Sequence, residues 1–160
     1  MAKSVETTGD WKRLKRVLDN AAPALKRESR KAIGRQLKRI EARVLDHLDA
    51  QDLDWQELSA PHAARKEKQG LSPDILRATN QMYSNITTSQ ESDYAGAVGV
   101  MRGVKTDEGE ELTDIALIHE QPEDDGKVIP ARKLWKPVFE EMEPSVSAAL
   151  KGIAIEVFKK

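Results

Sequence analysis

Apolar residues return every three or four positions through the first fifty residues: Trp11, Leu14, Val17 and Leu18, then Ile33, Leu37, Ile40, Val44 and Leu48. That spacing places each set on one face of a helix. Asp10 suits the N-cap of the first helix, and Ala21-Ala22-Pro23 predicts a kink or break, because proline lacks a backbone donor and crowds the preceding turn. Pro23 then opens a second, longer helix, with Lys31, Arg35, Lys38 and Arg39 opposite the apolar stripe. Gly34 inside it reads as a tolerated surface glycine. Helical spacing puts Trp11 on the core side with Leu14 and Leu18.

The periodicity lapses after residue 50. Pro61 and Gly70 bound a short helix over 61–69, and Ser72-Pro73 predicts one further helical turn capped by Ser72. Tyr83, Ile86, Thr87 and Thr88 favour a strand, and 94–101 its partner, joined through the polar turn 90–93 into an antiparallel hairpin. Residues 102–111 read as an exposed loop, 115–118 as an apolar patch compatible with helix or strand, and 127–130 as an edge strand. Phe139, Met142, Val146, Ala149, Ile153 and Val157 form a last helical stripe, which Pro144 is expected to kink or split. These elements make an α+β fold, a small antiparallel sheet packed with a long N-terminal helix and a C-terminal helix. Residues 1–160 are assigned to one domain, helical over 1–50, with a sheet and exposed acidic loops over 80–130 and a C-terminal helix over 131–158.

Composition bears on how such a fold is held. Of 160 residues, 39% are hydrophobic, only 4% aromatic and 33% charged, so little apolar surface is available per residue and partners are expected to complete the core. The net charge of -1 conceals an asymmetry. Between Lys12 and Arg43, twelve Lys and Arg stand against Asp19, Glu28 and Glu41, a surplus of +9; between Glu91 and Gly126, eleven Asp and Glu stand against Arg102 and Lys105, or -9. Opposite fields suit head-to-tail contact between copies, or a nucleic-acid surface on the basic side. No stretch approaches the roughly 20 apolar residues of a membrane span, and the opening residues hold no signal-peptide run. Synthesis in the cytoplasm and no membrane partner are expected.

Candidate chemistry is sparse. The absence of cysteine excludes disulfides, thiolate metal sites and cysteine nucleophiles. His47, His62 and His119 lack a second ligand at metal-binding spacing, so no metal and no cofactor are expected. His47, beside Asp46 and Asp49, reads as an exposed helix residue. His119-Glu120 is the one pair with the look of a site, yet no serine sits in a nucleophile frame, so no catalytic residue is assigned and the pair is given a hydrogen-bonded structural role. Gly96, Gly99 and Gly103 build no phosphate loop. Asp107, Glu108, Glu110 and Glu111 flank Gly109, where solvated carboxylates are the default. Trp11 with Lys12, Arg13, Lys15 and Arg16 offers a stacking ring beside phosphate-seeking charge, the strongest hint of nucleic-acid binding, though the helical face argument assigns the ring to the core.

Three segments, in order, carry a resemblance: Trp55-Gln56-Glu57-Leu58-Ser59 with Ala64-Arg65-Lys66; Ile75-Leu76-Arg77-Ala78-Thr79-Asn80 on to Tyr83 and Ile86; and Ile118-His119-Glu120 leading to Ile129-Pro130-Ala131-Arg132-Lys133-Leu134-Trp135. Together they resemble the phage virion morphogenesis, or tail-completion, family of Mu-like and P2-like phages, which is similar to the head-tail joining proteins of siphophages. The likeness covers about residues 54–137. Asn80 stands where the family has glycine, Lys133 replaces a second proline, and Glu120 replaces glutamine. Asn tolerates the left-handed backbone that glycine would supply.

The resemblance implies a structural subunit of the phage neck or tail terminus, located in the virion, associating with itself in a ring of six and with neighbouring neck, connector or tail proteins. DNA would only pass through the channel. Interface candidates are Arg132 as an organiser with Glu120 as its partner, His119, the basic face of Lys31, Arg35, Lys38 and Arg39, and the acidic loop of Asp107, Glu108, Glu110 and Glu111. The long helix or the C-terminal stripe is expected to supply apolar contact surface, and the acidic loop to reach a neighbour or the channel. The alternative is a DNA-binding or regulatory protein using the basic N-terminal helices.

Overall fold

A computed structural model of the chain describes residues 9–121 and 130–159, of which 154, 158 and 159 are described by their backbone alone. It is an α+β fold, 60% helical. In chain order the elements are α1 (Trp11–Ala50), α2 (Ala60–Lys68), α3 (Gln81–Ser84), β1 (Ile86–Ser89), β2 (Ala97–Val100), α4 (Leu112–Glu120) and α5 (Trp135–Lys159).

The first two predicted helices are one. α1 runs unbroken for 40 residues, about 60 Å at the usual rise, with Pro23 inside it. Asp10 caps it as expected, its carboxylate accepting from the Arg13 N–H at 2.9 Å. Proline removes one backbone hydrogen bond, but α5 lies against both sides of the position: Val17, Ala21 and Ala24 share a hollow with Val157. Tertiary packing of that kind outweighs a local preference to break. Pro144 is likewise carried within a single α5, because Met142 before it and Val146 after it both pack against the core. Arg43 and His47 meet Glu141 near the start of α5, whereas Ala21 lies near its end, so α1 and α5 run antiparallel.

The expected antiparallel hairpin forms, with Ile86 opposite Val100 and Ser89 opposite Ala97, so its connection runs over 90–96 rather than 90–93. Tyr83, expected in its first strand, belongs instead to α3, which begins after Asn80 in the left-handed region at φ 58°. The backbone there does demand what glycine or Asn supplies, and the Asn80 side chain also accepts from Arg77 Nε at 2.9 Å. Gly96 lets the hairpin approach α1, since a Cβ there would stand 2.5 Å from a Leu37 methyl and 2.8 Å from the Ser89 carbonyl. Gly34 sits beside the Gln90 side chain of the same hairpin rather than on open surface.

Ile40, Val44 and Leu48 of α1, Ile86 of β1, Leu134, and Val138 of α5 form the core. The i, i+4 spacing on α1 is the expected stripe. Trp11, Leu14 and Leu18 do not join it; Trp11 and Leu18 are each 55% exposed. The apolar patch at 115–118 is the middle of α4. Ser72 accepts from the Asp74 N–H, but the turn that follows makes no helix. Within the expected strand over 127–130, residues 127–129 lie outside the described ones, and Pro130 is in no element.

Candidate functional site

The approach to α5 is a junction of three distant segments. The Glu120 carboxylate, at the end of α4, accepts from the backbone N–H groups of Leu134, Trp135 and Lys136 at 2.7, 3.1 and 3.0 Å. It thereby satisfies the orphaned donors of a helix start and places negative charge at the positive end of its dipole. The Trp55 indole donates to the Lys133 carbonyl at 2.9 Å, and the Arg132 N–H to the His119 carbonyl at 2.8 Å. Glu120 is therefore not the partner of the Arg132 guanidinium. Both of its oxygens are engaged by backbone, and among the described residues Arg132 Nε is buried without a hydrogen-bond partner, as is His119 Nδ1.

Those two side chains open onto a cleft of about 330 Å³ between α2, the segment 76–82, the loop 106–110 and α4. Lys66, four residues after His62 on α2, points into the same cleft and is 4% exposed, with Nζ donating to the Asp74 carbonyl at 2.7 Å. Burial lowers the proton affinity of Lys66, His62, His119 and Arg132 alike, and the Arg132 charge adds to the effect on the first three. His119 is accordingly neutral at neutral pH. Asp107, Glu108 and Glu110 line the facing wall, and among the described residues no ion pair crosses the gap. Their loop is a tight turn closed by the Thr106 N–H on the Glu110 carbonyl, with Gly109 at φ 91°, and Glu111 pairs with Lys105 in an isolated bridge. No group among the described residues orients His119 as a general base would require. No described cluster of three or more acids and histidines is arranged to hold a metal.

The basic face of α1 lies apart from this cleft. Lys31, Arg35, Lys38 and Arg39 line a shallow surface trough; Lys31 is paired with Glu28, Lys38 with Glu41, and Arg39 donates to Gln36. One turn up the helix, Lys26 and Arg30 both reach Asp93 in the hairpin turn at 3.2 Å. Part of the basic and acidic fields thus meets within one chain, a contact that nothing in the spacing of residues 26, 30 and 93 could announce.

His47, expected on the surface, is 5% exposed and sits between two carboxylates, its Nδ1 on Asp52 and its Nε2 on Glu141 at 3.0 Å. Arg43 completes the cluster at 2.8 Å from Glu141. The His47 contact holds the Asp52 carboxyl below its ordinary range, and Arg43 followed by His47 does the same for Glu141. A carboxyl whose folded pKa is depressed contributes stability that is full above its unfolded value and disappears as pH falls through the folded one. The thermal midpoint is therefore expected to fall between about pH 5 and about pH 3, and Glu141→Gln to flatten that fall. Calorimetry over the range checks it; a slope identical in the variant would remove Glu141 from the account.

No helix among the described residues is long and apolar enough to cross a membrane. Comparison with protein-family models, curated proteins and solved structures finds no match.

Proposed function

We propose that this chain is a structural subunit of a tailed-phage neck or tail terminus, which forms a ring by head-to-tail self-association and docks on neighbouring virion proteins. The observation that carries the reading is apolar surface left uncovered on two separate parts of the chain: Trp11, Leu14 and Leu18 on the far end of α1, and Tyr94, Phe139 and Leu150 around the hairpin and α5. The central cluster of Ile40, Val44, Leu48, Ile86, Leu134 and Val138 draws in neither group, which leaves such residues for contact with another chain. The junction at α5 adds support, because Trp55, His119-Glu120 and the 132–135 segment, which carry the family resemblance, are hydrogen-bonded to one another. Light scattering and negative-stain images of the purified protein test the ring, and mass spectrometry of particles from the encoding phage tests the location. Oligomers with a central opening and the polypeptide in mature particles are expected; its absence from them would end the reading.

The exposed trough of Lys31, Arg35, Lys38 and Arg39 favours a second reading, DNA binding. Salt-sensitive gel shifts decide it, since contact with several phosphates makes affinity fall steeply from low to moderate salt.

A further inference from the structure

An apolar groove of about 480 Å³ runs between α1, the hairpin and α5. Its walls include Ile33, Tyr94, Val98, Phe139, Val146 and Leu150, and Glu140 and Glu143 of α5 stand on its lip. Gly96 is part of its lining, where the hairpin backbone comes down on Leu37. At the other end of α1, Trp11, Leu14 and Leu18 are three and four residues apart, hence on one side of the helix, and all three are exposed. Lys15 lies beside them and Lys12 farther round the helix, and among the described residues neither is in an ion pair, whereas Arg16 faces the hollow against α5.

We infer that the Trp11, Leu14 and Leu18 side of α1 from one copy seats in the groove of the next, with Lys15 and Lys12 meeting Glu140 and Glu143 on its lip. This rests on the self-association proposed above and names the two surfaces that would make it. Apolar stripe and apolar groove match, and their borders are of opposite charge, with Glu140 exchanging its exposed 3.7 Å contact with Lys136 for the neighbour's lysines, the arrangement that fixes register while apolar contact supplies affinity. A chain cannot seat that stripe in its own groove. Leu18 and Ile33 lie on the same unbroken helix, about 22 Å apart along its axis at the standard rise. The occupant must come from a second copy, and because the two surfaces differ, the contact is heterologous and propagates into a ring or filament rather than closing as a twofold dimer.

The chain contains no cysteine, so introduced thiols report this contact alone. Leu18→Cys and Leu150→Cys are made singly and together, checked for native helicity by circular dichroism, and treated with a short bismaleimide. The double variant is expected to give a ladder of linked species, an equal mixture of the single variants a dimer, and each single variant alone only monomer. Adding Glu140→Lys and Glu143→Lys to the double variant should remove the ladder, and Lys12→Glu with Lys15→Glu should restore it. A dimer from Leu18→Cys alone would mean that α1 pairs with α1, overturning the inference. No linked species from a protein that light scattering finds oligomeric overturns the contact and leaves the ring; none from a protein monomeric at every concentration overturns both.

Discussion

Leu48→Ala is expected to destabilise the chain by about 2 to 5 kcal/mol, a large fraction of the roughly 5 to 15 kcal/mol that holds a domain folded. Leu48 has no exposed surface and packs in the cluster that joins α1 to β1 and α5. Truncation removes the buried methyl groups and leaves a cavity that three rigid elements cannot collapse around. A two-stranded sheet has no stability of its own, so losing the helix contact loses the hairpin as well. Urea unfolding followed by circular dichroism measures the effect, with Leu117→Ala as the control, expected within about 0.5 kcal/mol because that side chain is exposed and lies on neither proposed contact surface. Equal losses in the two variants would place the core elsewhere.

Glu120→Ala should cost about 2 to 4 kcal/mol, more than a usual cap, since one carboxylate serves three N–H groups and two of the bonds are partly buried. Glu120→Gln is expected to fall between, because its single carbonyl oxygen replaces two charged acceptors and its NH₂ faces a donor. Hydrogen exchange at Leu134, Trp135 and Lys136 would separate this role from a general loss of stability: their protection should drop before that of the α1 core. If Glu120→Ala left those amides as protected as in the parent chain, another group would be capping α5. The same measurement bears on Arg132→Met. Its guanidinium has no Nε partner among the described residues, so its loss should leave α5 protection unchanged.

The Asp10 cap, the Ile40, Val44 and Leu48 stripe, the presence of the hairpin and the short helix ahead of Gly70 are all legible along the chain, because each follows from interactions among residues close in sequence. Residues whose state is set from afar are not legible in that way. Trp11, Leu14 and Leu18 have the spacing of a core face, but among the described residues no element covers that end of α1 on their side. His47, flanked by acids in sequence, is buried because Asp52 and Glu141 close over it, the latter from 94 residues away. Lys66 gives one faint sign, its place four residues after His62 on a helix, and a lysine is not expected inside unless something receives its protons. The Asp74 carbonyl does.

The classes of element, the unlike charge of the two halves and the lack of thiol chemistry are properties of the chain alone, carried by helical periodicity, turn residues and composition. Long-range packing settles the rest: that Pro23 and Pro144 are carried through, that Glu120 rather than Arg132 holds α5, and that one apolar stripe is buried while another is left open. Each of those outcomes turns on which distant surface arrives to replace water, and the free energy of that replacement exceeds the local preferences written into neighbouring residues.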